Sequence, residues 1–230
     1  MQTNILDWLE ATAARYPDAP AVGDVQQDYT WAQLAELARR SGSALAARTA
    51  PRRPAAFYLE KSAPAFAAML GTVYAGCCYS VLDPRQPAAR TRQVLDTLAP
   101  ALLITDAEHA DAAAKLSYSG PILSLESLLT ADEDAALLAA RRVQAVDVDP
   151  LYINFTSGST GVPKGVTVSH RSVLDFIPQF AGIFGISGDD ILGNQAPFDF
   201  DVSVKDLYTA LTPGPRCRSS RGPISASLPS

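Results

Sequence analysis

The chain has 230 residues, 47% of them hydrophobic and 19% charged, which is the composition of an ordinary water-soluble fold able to bury its own core. A net charge of −5 and a pI near 5.0 argue against general nucleic-acid binding. No apolar run reaches membrane-spanning length, and the residues after Met1 lack the basic-then-apolar order of a secretory signal.

The predicted elements alternate along the chain. Residues 4–16 put Ile5, Trp8, Leu9 and Ala13 on one helical face. Thr30-Trp31-Ala32-Gln33 has capping-box order and opens a second helix, with Leu34, Leu37, Ala38, Ser41 and Leu45 sharing a face. Residues 55–59 read as a short buried strand. Ser62, with Pro64 in the first turn, starts a helix that runs to Tyr74 and stops at Gly76. A strand at 79–82, a helix at 87–98 and a strand at 101–105 follow, then a short strand at 121–124. Thr130-Ala131-Asp132-Glu133 has the order of a second capping box. It leads an alanine-rich helix ending at Arg141-Arg142, where cations suit the negative helix end. Strands at 152–155 and 165–168, a helix at 170–184 and a strand at 191–195 complete the series. This rhythm predicts an α/β fold, a mostly parallel sheet flanked by helices on both faces.

Cys77 and Cys78 are adjacent, and neighbouring cysteines rarely bridge each other. They read as small core residues, and the chain is expected in a reducing cytoplasm. With Cys217, His109 and His170, the cysteines offer no metal-ligand spacing. His109 lies in a polar segment and is expected to be exposed.

The segment richest in chemistry is Tyr152-Ile153-Asn154-Phe155-Thr156-Ser157-Gly158-Ser159-Thr160-Gly161-Val162-Pro163-Lys164-Gly165. An apolar run ends in a loop of hydroxyls, glycines and one lysine. Glycines let successive N–H groups turn toward an anion, hydroxyls add donors, and lysine adds a mobile charge. That is a way to hold polyphosphate. The common P-loop ends in Gly-Lys-Ser/Thr, whereas here Pro163 precedes Lys164 and Gly165 follows it, which disfavours a P-loop kinase. The plain alternative is a polar turn between strands.

A second candidate lies between Asn194 and Tyr208. Apolar and polar residues alternate from Phe198 to Lys205, as in a half-buried strand, yet Ser203-Val204-Lys205-Asp206 fits a capping box. In either case Asp201 stands between bulky apolar neighbours, where a carboxylate needs a cation or donors. The ammonium of an amino acid is one such cation. The structural alternative is a helix cap.

The Thr156–Lys164 loop closely resembles the phosphate loop of the adenylate-forming (AMP-binding) superfamily. Tyr29-Thr30-Trp31-Ala32-Gln33-Leu34 and Tyr74-Ala75-Gly76-Cys77-Cys78-Tyr79-Ser80-Val81-Leu82-Asp83-Pro84 resemble two of its structural landmarks; the second departs from the pattern in placing proline after the aspartate. Phe200-Asp201-Val202-Ser203 is similar to the Phe-Asp-x-Ser motif of the amino-acid adenylation type. The longer run from Gln195 to Tyr208 looks closest to the ligases that load D-alanine onto a carrier protein. The resemblance extends to about Leu211. It implies ATP-dependent activation of an amino acid as an aminoacyl-adenylate, and transfer to the phosphopantetheine thiol of a carrier protein. It implies that Thr156, Ser157, Ser159 and Thr160 donate to the β- and γ-phosphates, that Gly158 and Gly161 permit close approach, and that Lys164 neutralises charge. Asp201 would bind the α-ammonium of the substrate. His170 would cap its helix or face the nucleotide, the cap being preferred.

The same resemblance implies parts that do not occur before Ser230: a Tyr-Gly-x-Thr-Glu segment for adenine and magnesium, an aspartate for the ribose, and a lid domain with a catalytic lysine. Residues 1–212 therefore read as the N-terminal portion of an adenylation domain, with little or no ligase activity alone and an uncovered sheet edge. The alternative is a non-catalytic remnant with at most weak ATP or phosphate binding. Residues 213–230 have no acidic side chain and no periodicity. They predict disorder, and the abrupt break after Thr212 reads as a frameshift.

Overall fold

The computed structural model describes residues 2–157, 161–188 and 190–212. The expectations for Gly158, Ser159, Thr160 and the tail from 213 lie outside the described residues.

Helix α1 (Leu6–Arg15) and a two-stranded antiparallel ribbon, β1 (Pro20–Gly23) with β2 (Asp28–Thr30), lead into α2 (Trp31–Ala46). The capping box forms: the Thr30 hydroxyl accepts from the Gln33 N–H, and the Gln33 side chain accepts from the Thr30 N–H. Next come β3 (Pro54–Tyr58), α3 (Ala63–Tyr74), β4 (Cys78–Leu82), α4 (Ala88–Leu98) and β5 (Leu102–Thr105). At the start of α3 the Ser62 hydroxyl accepts from the Ala65 N–H, as its position before Pro64 predicts.

The region that gave little periodic signal folds into short pieces: α5 (Ala110–Ala114), β6 (Ile122–Ser124), α6 (Leu125–Leu129) and α7 (Ala135–Val143). The second capping box does not form. Thr130 closes α6, its hydroxyl donating to the Glu126 carbonyl at 2.9 Å. Asp134 caps α7 instead, accepting from the Leu137 N–H at 2.9 Å while its own N–H donates to the Ser43 hydroxyl. A tertiary contact from α2 thus decides where α7 begins.

The remaining elements are β7 (Pro150–Thr156), β8 (Lys164–Ser169), α8 (His170–Phe184) and α9 (Val202–Leu211). The main sheet has strand order β6-β5-β3-β4-β7-β8, parallel throughout except for the antiparallel β7–β8 hairpin at one edge. The strand expected at 191–195 is absent. Its carbonyls at Asn194 and Gln195 accept instead from the Lys61 ammonium, each at 2.9 Å.

Both faces of the sheet are covered at its centre, over β3, β4 and β5, while β6 and β8 are largely exposed. On β3, Ala55 and Phe57 enter the larger core with Trp8, Trp31, Phe66 and Tyr208, whereas Ala56 and Tyr58 face a smaller core with Leu95 and Leu103. Each fully buried side chain of Phe57's size contributes about 1.5–3 kcal/mol by leaving water. Helices α2 and α3 cross closely. A Cβ on Gly71 would lie 2.5 Å from the Ser41 Cβ, and one on Gly42 would lie 2.6 Å from the Tyr74 Cβ. Cys77 and Cys78 are buried core residues, and burial pushes their thiols up to about 11 and about 12. Helix α8 keeps an apolar outer ridge in water, with Ile183 80% and Phe184 69% exposed. No helix among the described residues is long and apolar enough to cross a membrane.

Candidate functional site

The parallel neighbours β4 and β7 have one register pair among the described residues, Tyr79 opposite Tyr152. Past that rung β4 runs to Leu82 and β7 to Thr156. A cleft of about 540 Å³ opens at the carboxyl ends of both strands, where open α/β sheets hold their ligands. A second cavity, about 410 Å³, lies between the β1–β2 ribbon, the start of α3 and α9, and none of the expected site residues lines it.

Thr156 and Ser157 line the cleft and are exposed there. Lys164 is the first residue of β8 and pairs in register with Thr156, so the last rung of the hairpin sets these two residues opposite each other at the ends of the loop. Gly161 has φ +78°, and no atom lies within 4 Å of the position a Cβ would take. The left-handed backbone, not a protein neighbour, calls for glycine there.

Asp201 also lines this cleft, supplied by the loop ahead of α9. It occupies the N-cap position of that helix with φ −60° and ψ −26°, and its side chain makes no cap hydrogen bond. The helix-cap alternative is therefore not realised. Neither is the burial expected of Asp201: it is exposed, and its neighbours Phe200 and Val202 are 55% and 47% exposed. Ser203 does not open a capping box. Its hydroxyl donates to the Phe200 carbonyl at 2.7 Å, and α9 starts one residue earlier. Helix α9 is tied to the sheet by the Tyr208 hydroxyl, 2.7 Å from that of Tyr79, whose ring stacks on Tyr152 at 6.0 Å.

The rest of the cleft wall mixes apolar residues, among them Val81, Leu82, Val94 and Val168, with the charged Asp83, Arg90 and Asp199. Arg85 binds the Asp83 carboxylate with contacts of 2.7–3.0 Å and holds it below the usual range. Asp199 is half-buried, and burial, then the charge of Asp83, pushes its carboxyl up. Burial, then the nearby Asp201 charge, pushes Tyr152 up to about 12. Sequence reasoning passed over Asn154 and Asp199. The signal available was an amide inside an otherwise apolar strand run, in period two with Thr156.

Neither reading of His170 holds. Ser169 caps α8, accepting from the Ser172 N–H. His170 is 3% exposed, and its Nδ1 accepts from the Ile5 N–H at 3.4 Å. Burial brings it down to about 4, so it is neutral near pH 7. His109 is not simply exposed, because its Nδ1 lies 2.6 Å from the Asp106 carboxylate and its ring meets Tyr58 edge-on. Among the described residues no group of three or more His, Cys, Asp or Glu could hold a metal, so magnesium is assigned to no residue here.

A mostly parallel sheet flanked by helices, with a hydroxyl- and lysine-bearing loop at its carboxyl edge, defines an adenylate-forming domain. The chain belongs to the AMP-binding enzyme family, which it matches over residues 9–226. The D-alanine–D-alanyl carrier protein ligase of Lacticaseibacillus casei (strain BL23) is 30% identical over 214 residues, covering 93% of this chain and 42% of the ligase. Nonribosomal peptide synthetase 32 of Fusarium pseudograminearum (strain CS3096) is 32% identical over 200 residues, 86% of this chain and 2% of the synthetase. Among solved structures, the nonribosomal peptide synthetase FmoA3 in its α-methyl-L-serine-AMP bound form superposes with a TM-score of 0.80 at 26% identity, over 94% of this chain and 23% of that one. The chain thus spans under half the length of the ligase.

Proposed function

We propose that this chain supplies the phosphate loop and the ammonium-binding aspartate of an ATP-dependent amino-acid ligase. In that reaction the amino acid's carboxylate attacks the α-phosphorus of ATP, pyrophosphate leaves, and an aminoacyl-adenylate forms. The aminoacyl group then passes to the phosphopantetheine thiol of a carrier protein. The observation that carries the proposal is the meeting of Thr156, Ser157 and Asp201 on one cleft, with Lys164 across the last hairpin rung. The hydroxyls and Lys164 would hold the phosphates and stabilise the leaving pyrophosphate, with Gly158, Ser159, Thr160 and Gly161 completing the loop. Asp201 would pair with the α-ammonium through charge-assisted hydrogen bonds. Likeness to the carrier protein ligase, and the run from Gln195 to Tyr208, support D-alanine as the amino acid. Use of ATP supports a cytoplasmic setting.

Contacts to adenine, ribose and magnesium are assigned to no described residue. We therefore propose that these 230 residues alone bind without turnover. A second reading, a non-catalytic remnant with weak phosphate binding, draws on the exposure of Asp201, whose side chain makes no cap hydrogen bond. Calorimetry with an alanyl-sulfamoyl adenosine, a stable mimic of the adenylate, separates the two. Binding that Asp201→Asn weakens supports the ligase reading. Binding of ATP alone, with no response to the aminoacyl part, supports the remnant. Amino-acid-dependent pyrophosphate exchange by the purified chain would overturn the absence of turnover.

A further inference from the structure

Between α8 and α9 the described residues form neither helix nor strand, so no sheet ladder or helical turn fixes the loop ahead of Asp201. A side chain from outside the cleft holds it instead. The Lys61 ammonium, in the connection from β3 to α3, donates to the Asn194 and Gln195 carbonyls, each at 2.9 Å. Successive carbonyls of a strand point to opposite edges, so two that meet on one ammonium fix a bent backbone there. The Asn194 side chain in turn donates to the Asp206 carboxylate on α9 at 3.2 Å, and the charge of Asp206 favours the Lys61 cation. Lys61, Asn194 and Asp206 all line the cavity of about 410 Å³, not the cleft that holds Asp201.

From Gln195 to Asp201 the loop is short and internally bonded. Phe198 is 8% exposed and packs in the larger core. The Phe200 N–H donates to the Pro197 carbonyl at 3.2 Å, and the Ser203 N–H donates to the Phe200 carbonyl at 3.0 Å. Asp201 thus stands between two anchors, α9 on one side and the Lys61 clamp on the other. Lys61 itself is exposed, so replacing it removes the clamp and leaves the core intact. Among the described residues the clamp makes no hydrogen bond to the β7–β8 hairpin, which carries the ends of the phosphate loop. We propose that Lys61 is a positioning residue: through the Asn194 and Gln195 carbonyls it holds the loop in the form that presents Asp201 to the α-ammonium of the substrate. The inference rests on the amino-acid reading of Asp201 and deepens it by naming the group that sets that carboxylate in place.

The test is calorimetry on the full chain with alanyl-sulfamoyl adenosine and, separately, with ATP, for wild type, Lys61→Met and Lys61→Arg. Thermal melts verify that each variant folds. Methionine keeps a long apolar stem and removes the donor. Lys61→Met is expected to weaken the mimic about three- to tenfold, the range that loss of a hydrogen bond gives, and to leave ATP unchanged. A guanidinium can donate to both carbonyls, so Lys61→Arg should bind the mimic like wild type. Amide hydrogen exchange over residues 191–201 of the ligand-free chain should rise in Lys61→Met and return in Lys61→Arg. Mimic binding by Lys61→Met as tight as wild type, yet lost in Asp201→Asn, overturns this inference and leaves the amino-acid reading intact. A loss that arginine does not restore, an equal loss for ATP, or unchanged exchange over 191–201 also overturns it. Binding of no mimic by the wild-type chain overturns both.

Discussion

The hydroxyls of Tyr79 and Tyr208 lie 2.7 Å apart with both side chains almost wholly buried, joining strand β4 to helix α9 about two turns along from Asp201. Each satisfies the other, so removing one leaves the other buried and unmet. Tyr208→Phe should cost about 1–3 kcal/mol. The double variant Tyr79→Phe/Tyr208→Phe should cost less than the two single losses added together. Urea unfolding of the four proteins measures this, and strict additivity would remove the coupling.

His170 gives the fold an acid limb. Its folded value, about 4, lies below the ordinary 6.5 because burial disfavours the cation. Between those values the unfolded chain binds the extra proton, so stability rises with pH through that window and is lost as pH falls through it. From pH 7 to pH 5 this one group should remove about 2 kcal/mol. His170→Asn keeps an acceptor for the Ile5 N–H but cannot titrate. Its urea midpoint should fall less over the same range, and equal slopes for variant and wild type would refute the assignment.

The α2–α3 crossing tolerates no added carbon at Gly71. A Cβ there would stand 2.5 Å from the Ser41 Cβ and 2.9 Å from the Ala38 carbonyl oxygen, both fixed to backbone. Gly71→Ala should destabilise by about 1–3 kcal/mol, although alanine is the better helix former. A variant as stable as wild type in thermal melts would mean that the helices separate freely.

Phosphate and ammonium recognition should divide cleanly between Lys164 and Asp201. Lys164→Ala is expected to weaken ATP about tenfold and leave amino-acid binding unchanged. Asp201→Asn should do the reverse. Calorimetry with each ligand separately checks this, and a variant that weakened both ligands equally would point to loss of the cleft itself.

Local rules made much of this fold legible. The Thr30 capping box and the Ser62–Pro64 start of α3 form from neighbours in sequence, and the strands β3, β4 and β5 stand out as short apolar runs. Where sequence reading failed, a distant partner had decided. Ser43 takes the Asp134 N–H and resets α7, Lys61 takes the carbonyls of a would-be strand at 191–195, and Ile5 takes the ring nitrogen of His170. For the candidate site, the loop residues and Asp201 stood out by type and spacing. Asn154 was legible only as an amide in period two with Thr156, and the half-burial of Asp199 follows from packing between distant segments, which leaves no local pattern.

The last rung of the β7–β8 hairpin has a consequence for the site. It ties Thr156 to Lys164, so neither residue can slide along its strand without the other. A substitution that disturbs that rung would displace a hydroxyl and an ammonium in one step, and anion recognition would fail as a unit.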